Sequence, residues 1–92
     1  MKIEITKPAV TDLQNIEDYI SEDNPKAAAR TVLRVIEAIE YLETYPTMGR
    51  AGRVPKTREL IISGTPFIVI YQIRGALIFV LRVLHAARKW PK

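Results

Sequence analysis

The sequence predicts an α+β fold, a helical hairpin laid against an antiparallel sheet in the order β-α-α-β-β-β. Three observations predict it. Apolar residues recur at helical spacing in two stretches of the first half, "PTMGRAGRVPK" interrupts the pattern at 46–56, and three runs rich in β-branched and aromatic residues follow it. With 92 residues the chain is expected to be one domain, 1–92, with a single modest core.

The elements follow in order. "KIEIT" places Ile3 and Ile5 on one side, as a short strand does. Thr6 is a cap residue and Pro8 is tolerated in a first helical turn, so Ala9, Leu13, Ile16 and Ile20 define a first amphipathic helix that fades at "SEDNP". Asn24 and Pro25 are a second cap-and-start signal, and Val32, Val35, Ile36, Ile39 and Leu42 form the apolar stripe of a second helix ending before Pro46. So short a turn makes the two helices antiparallel. Gly49, Gly52 and Pro55 make 46–56 a loop, in which Arg50, Arg53 and Lys56 have no acidic sequence neighbours. "TRELII", "FIVIYQI" and "ALIFVLRVL" are then strands joined by "SGTP" and "RG".

Turn length sets the expected register. A four-residue "SGTP" connection pairs Ile62 with Phe67 and Arg58 with Tyr71; a two-residue "RG" turn pairs Ile73 with Ala76, Tyr71 with Ile78 and Phe67 with Arg82. Both faces of that sheet are apolar, yet one helical hairpin covers only one of them. The tail or a second protein is expected to cover the other.

Composition narrows the function. There is no cysteine, which excludes a disulfide framework, a thiol nucleophile and a cysteine zinc site, and suits a reducing cytoplasm. "MKIEITKPAV" alternates charged and apolar residues instead of forming a signal-peptide core, and no apolar run is long enough to span a bilayer, so a cytoplasmic protein without membrane association is expected. Charge is split along the chain: residues 1–45 hold five basic and nine acidic residues, net −4, and residues 46–92 hold nine basic residues and one acid, Glu59, net +8. Such a basic half suits phosphates or an acidic protein segment.

The order of elements, with "YPTMGRAGR", "TREL", "FIVIYQI" and the ending "LRVLHAARKW", resembles the RelE/ParE superfamily of bacterial toxins from type II toxin–antitoxin modules. The resemblance covers nearly the whole chain. It implies a RelE/ParE-like β-α-α-β-β-β fold, a cognate acidic antitoxin (ParD- or RelB-like), operator DNA bound only through that antitoxin, and growth arrest by the free toxin. It implies no cofactor and no metal. The superfamily holds two activities that the fold does not separate: RelE-like members cut messenger RNA on the ribosome, and ParE-like members poison DNA gyrase. A third reading is a relative that binds only its antitoxin.

Chemistry discriminates between the first two. Cutting RNA through its 2′-OH needs a base, an acid and cations at the phosphate. The positions where RelE-like enzymes place such groups read Ile68, Ile61 and Glu59 here. The expectation is therefore a ParE-like protein that acts by docking, with Arg50, Arg53, Lys56, Arg58, Arg88 and Lys89 facing the target. If the chain were instead an endonuclease, His85, Arg58 and Arg82 would be its catalytic set. His85 falls at the end of the last strand, where some RNA-cutting relatives carry a catalytic histidine, although a backbone-bonded strand end is the plainer role. Ile68, Ile70, Phe79, Leu81 and Trp90 are the expected antitoxin contacts, with Trp90 also expected to fold back on the sheet. Gly49-Arg50-Ala51-Gly52 resembles the backbone-clamping loop of KH domains, but it lies between a helix and a strand and is rejected as one.

Overall fold

A computed structural model describes residues 1–88 and residue 90. β1 (Lys2–Ile5) leads into α1 (Lys7–Ser21) and α2 (Pro25–Tyr41), followed by β2 (Arg50–Ala51), β3 (Thr57–Ile61), β4 (Phe67–Arg74) and β5 (Leu77–His85). The sheet order is β1-β5-β4-β3-β2. Strands β2 to β5 are antiparallel neighbours, whereas β1 joins β5 in parallel. The helical hairpin between β1 and the rest of the sheet is the crossover that a parallel pair requires. The expected order holds, with one addition: β2 turns part of the expected loop into an edge strand, Arg50 facing Glu59 and Ala51 facing Arg58.

Local chemistry accounts for the helix starts. The Thr6 hydroxyl accepts the Ala9 N–H at 3.4 Å and lies 2.8 Å from the Val80 carbonyl, so it caps α1 and ties it to β5. Asn24 Oδ1 accepts the Ala27 N–H at 3.1 Å, and Pro25 opens α2. Ala9 of α1, with Val35 and Ile39 of α2 and its C-cap residue Leu42, packs on Val69, Tyr71, Ile78, Val80 and Val83 to form the main core. Ile36, expected in the α2 stripe, lies at its border and is exposed.

The β3–β4 register is the expected one, with Arg58 opposite Tyr71 and the Ile62 N–H donated to the Phe67 carbonyl. The β4–β5 register is not. The turn is Gly75–Ala76, with Arg74 opposite Leu77 and a positive φ of 58° at Gly75, the first loop position. A bulge between Ile70 and Tyr71 then leaves Leu81 without a partner, so that Tyr71 faces Val80, Ile70 faces Arg82, and Phe67 faces His85 instead of Arg82. Moving the turn by one residue preserves which face each side chain occupies; the extra residue of the bulge reverses it. Val83 therefore joins the main core beside Val69, and Leu84 joins Ile68 on the far face.

That far face is partly closed by the chain itself. Ile68, Ile70 and Leu84 form a second buried cluster, with Leu81 and Trp90 packed against it. Trp90 thus covers the His85 end of the sheet, and Phe79 towards the opposite end stays half-buried.

Candidate functional site

The basic loop is fastened to the sheet by three polar side chains. Tyr71, fully buried, donates its hydroxyl to the Pro46 carbonyl at 2.7 Å and accepts the Gly49 N–H at 2.9 Å. Burial pushes the Tyr71 hydroxyl above its ordinary value, while the Gly49 N–H and the Arg58 charge act in the opposite direction. A Cβ at Gly49 would come within 2.8 Å of the Tyr71 hydroxyl, so this close approach requires glycine. Arg58 donates to the Gly49 carbonyl at 2.7 Å and the Thr47 carbonyl at 3.3 Å. Glu59, 4 % exposed, pairs with Arg50 at 3.2 Å and accepts the Arg53 backbone N–H at 3.1 Å.

Two expectations change here. Arg50 has no acidic neighbour in sequence, but the β2–β3 pairing brings Glu59 across to it. Arg58, expected to face the target, turns inward and satisfies loop carbonyls. Arg53 and Lys56 remain exposed, with Lys56 at a φ of 68°.

Arg82 is held between α1 and β5. Its Nε and Nη2 donate to Asp12 at 2.7 and 2.9 Å, and the Val83 N–H donates to the same carboxylate at 2.9 Å. The bidentate bond to Asp12 pushes the guanidinium above its already high ordinary value. β1 stops at Ile5, so β5 has no strand partner on that side beyond Val80, and Asp12 takes the edge N–H that a strand would otherwise accept.

His85 ends β5. Its Nδ1 accepts the Ala87 N–H at 3.1 Å, so the neutral ring carries its proton on Nε2. The ring meets Phe67 edge-on, with centroids 5.9 Å apart, and lines a groove of about 260 Å³ with Asn15, Tyr19 and Arg88. The structure therefore does not gather His85, Arg58 and Arg82. Arg58 faces Tyr71, four residues along β4 from Phe67, the partner of His85, which at ~3.3 Å per residue is roughly 13 Å along the strand.

The other expected site residues divide between surface and interior. Arg88 is exposed beside His85, and Lys89 lies outside the described residues. Of the five expected antitoxin contacts, Phe79 and Leu81 are half-buried, while Ile68 and Ile70 are closed off within the chain under Trp90 and Leu81. A separate groove of about 440 Å³ runs between α2 and the edge of β3, bordered by Arg34, Tyr41, Met48, Arg50 and Ile61. β2 pairs with only Arg58 and Glu59, so the β3 edge beyond them is open towards it. Among the described residues no group of three or more acids or histidines is placed to hold a metal ion, and no helix is long and apolar enough to cross a membrane.

Sequence reasoning missed Tyr71 and Asp12. Asp12 carried a signal, an acid three residues after Ala9 on the buried side of α1. Tyr71 carried a weaker one, a single hydroxyl in an aliphatic strand.

The five-stranded sheet has its first strand at one edge, is backed by a helical hairpin and carries a pinned basic loop. The model of the ParE toxin of the type II toxin–antitoxin system parDE matches residues 3–90, and the chain belongs to that family. It is 41% identical over 91 residues to "Putative toxin Y4kP" of Sinorhizobium fredii, covering 99% of this chain and 94% of that protein. It is 38% identical over 80 residues to "Toxin RelE2" of Caulobacter vibrioides, covering 87% and 89%. Among solved structures, a chain described as "Chromosomal ParDE TA system from P. aeruginosa" superposes with a TM-score of 0.85 at 28% identity, over 92% of this chain and 95% of that one. The protein is a toxin of a type II toxin–antitoxin system, and family membership implies an antitoxin partner.

Proposed function

We propose that the free toxin arrests growth in the cytoplasm by docking on DNA gyrase, in the manner of ParE, and not by cutting messenger RNA on the ribosome. The observation that supports this reading is the dispersal of the three residues a nuclease would need. Arg58 bonds loop carbonyls, Arg82 is clamped by Asp12, and His85 is turned by the bulge towards α1, away from Ile61 and Ile68. An acid, a base and phosphate-binding cations act together only when they converge on one reacting centre. Docking requires no such convergence, and Arg53, Lys56 and Arg88 are exposed cations available to a target.

The antitoxin is proposed to be an acidic, amphipathic segment that neutralises the basic half and covers the open groove beside β3, leaving operator recognition to its own DNA-binding part. Purified toxin tested in parallel on gyrase supercoiling and on translating ribosomes separates the two activities. His85→Gln keeps hydrogen bonding but cannot supply a proton near neutral pH, and it is expected to remain growth-arresting. Transcript cleavage by the parent that disappears in His85→Gln, against a general acid–base contribution of roughly 10²–10⁴ in rate, would establish the endonuclease instead.

A further inference from the structure

One end of the sheet gathers cations from three separate stretches of chain. β1 begins at Lys2, opposite Leu77, and β4 ends at Arg74, opposite the same Leu77. β3 begins at Thr57, opposite Gln72, so the turn Val54–Thr57 and the preceding Arg53 project from that end as well. Lys2, Arg53, Lys56 and Arg74 are exposed, and neither of the ion pairs found among the described residues involves them. The nearest acids are Glu59, which accepts the Arg53 backbone N–H and is itself paired with Arg50, and, in register, Glu4 opposite Phe79.

Two of these cations are held ready. Arg74 donates Nε to Gln72 Oε1 at 2.6 Å, and its guanidinium carbon lies 5.1 Å from the centroid of the Phe79 ring. Both contacts fix the plane of the group while its two terminal nitrogens stay available, the geometry that suits paired oxygens of a phosphate. Lys56 occupies the second central position of a turn with Pro55 at the first, closed by the Thr57 N–H to the Val54 carbonyl at 3.1 Å. A φ of 68° there is the region glycine adopts freely and lysine does not. The loop behind it, tied down by Tyr71, Arg58 and Glu59, leaves the turn little room to relax. A cation thus stands where a glycine would be more stable.

We infer that this end of the sheet binds the phosphodiester backbone of a nucleic acid, with Arg74, Lys56 and Arg53 as its phosphate contacts. An acidic protein surface would add apolar contacts around the charges. The most exposed apolar side chains, Tyr19, Leu33, Tyr41 and Ile61, lie instead on the helices and at the far end of β3, and Met1 beside Lys2 is 39 % exposed. The inference rests on the docking reading only in that gyrase holds DNA; the ribosome holds RNA, and the phosphate chemistry is common to both.

Purified toxin, titrated by fluorescence anisotropy against a short mixed-sequence DNA duplex and a single-stranded RNA of equal length over a range of salt, tests it directly. Binding to at least one is expected, with log K falling linearly in log salt. Lys56→Gly should lower that slope by about 0.9 on the duplex, one phosphate contact, while the melting temperature holds or rises. Arg74→Gln should lower it by a similar amount, and it reads the same surface should Lys56→Gly weaken the turn. Tighter binding to the duplex identifies DNA as the source of the phosphates, and tighter binding to the single strand identifies RNA. Absence of salt-dependent binding to both, or slopes unchanged in both variants, overturns the inference. Gyrase left uninhibited by a toxin that still binds nucleic acid removes the docking reading and leaves this one standing.

Discussion

Single side chains decide how the basic half is organised. Tyr71 is the pin of the loop: its hydroxyl satisfies one donor and one acceptor that would otherwise be orphaned under α2. Tyr71→Phe should cost about 1–3 kcal/mol, the usual range for leaving buried partners unpaired. The same substitution should change the alkaline limb of stability. Because burial raises the folded hydroxyl above its ordinary 10.0, the unfolded chain ionises first, so the parent loses stability as pH climbs through that value and beyond. Denaturant midpoints measured from neutral to alkaline pH should fall for the parent and stay flatter for Tyr71→Phe. Asp12 is the second such residue. Asp12→Asn leaves Arg82 without its anion and weakens the acceptor for Val83, and a loss on the order of 2–3 kcal/mol is expected in the same melts. A variant within a few tenths of the parent would show that the clamp is incidental.

At the level of elements, the helices and the β3–β4 hairpin were legible because their signals are local. Thr6 and Asn24 cap, Pro8 and Pro25 start, and "SGTP" has one natural length. The bulge in β5 was not legible. "FVLRVL" is apolar on both sides of Arg82, so an unbroken strand and a bulged one bury equally good sets of residues, and nothing in the pattern selects between them. That one residue determines which face His85 occupies, and so it determines the candidate site. The partners of Arg50 and Arg58 were illegible for a related reason: Glu59 and the loop carbonyls are adjacent to them only once β2 and β3 pair. The tail was one of two candidates to cover the far face, a second protein being the other, and Trp90 packs there. Trp90→Ala should uncover Ile68 and Ile70, increase binding of an apolar dye and cost about 3 kcal/mol or more if the indole is as well packed as a core aromatic. A melt indistinguishable from the parent would place Trp90 outside the folding unit.

For the whole molecule, the division of charge predicts how toxin and antitoxin hold together. Co-expression with the neighbouring antitoxin gene should yield a complex that co-elutes and melts above the free toxin, by about 4 kcal/mol when the partner is at a thousand times its Kd. High salt should narrow that difference, since the attraction is screened over about 10 Å at 0.1 M. Failure of the partner to co-elute or to raise the melting temperature would remove the charge argument. The parallel pairing of β1 with β5 carries one more consequence, in time instead of space. Thr6 is tied to Val80, 74 residues later, so the first strand has no partner until the last one has left the ribosome. A nascent toxin is thus an unfinished sheet for almost all of its synthesis. An antitoxin that recognised the finished sheet would find it only once β5 is made.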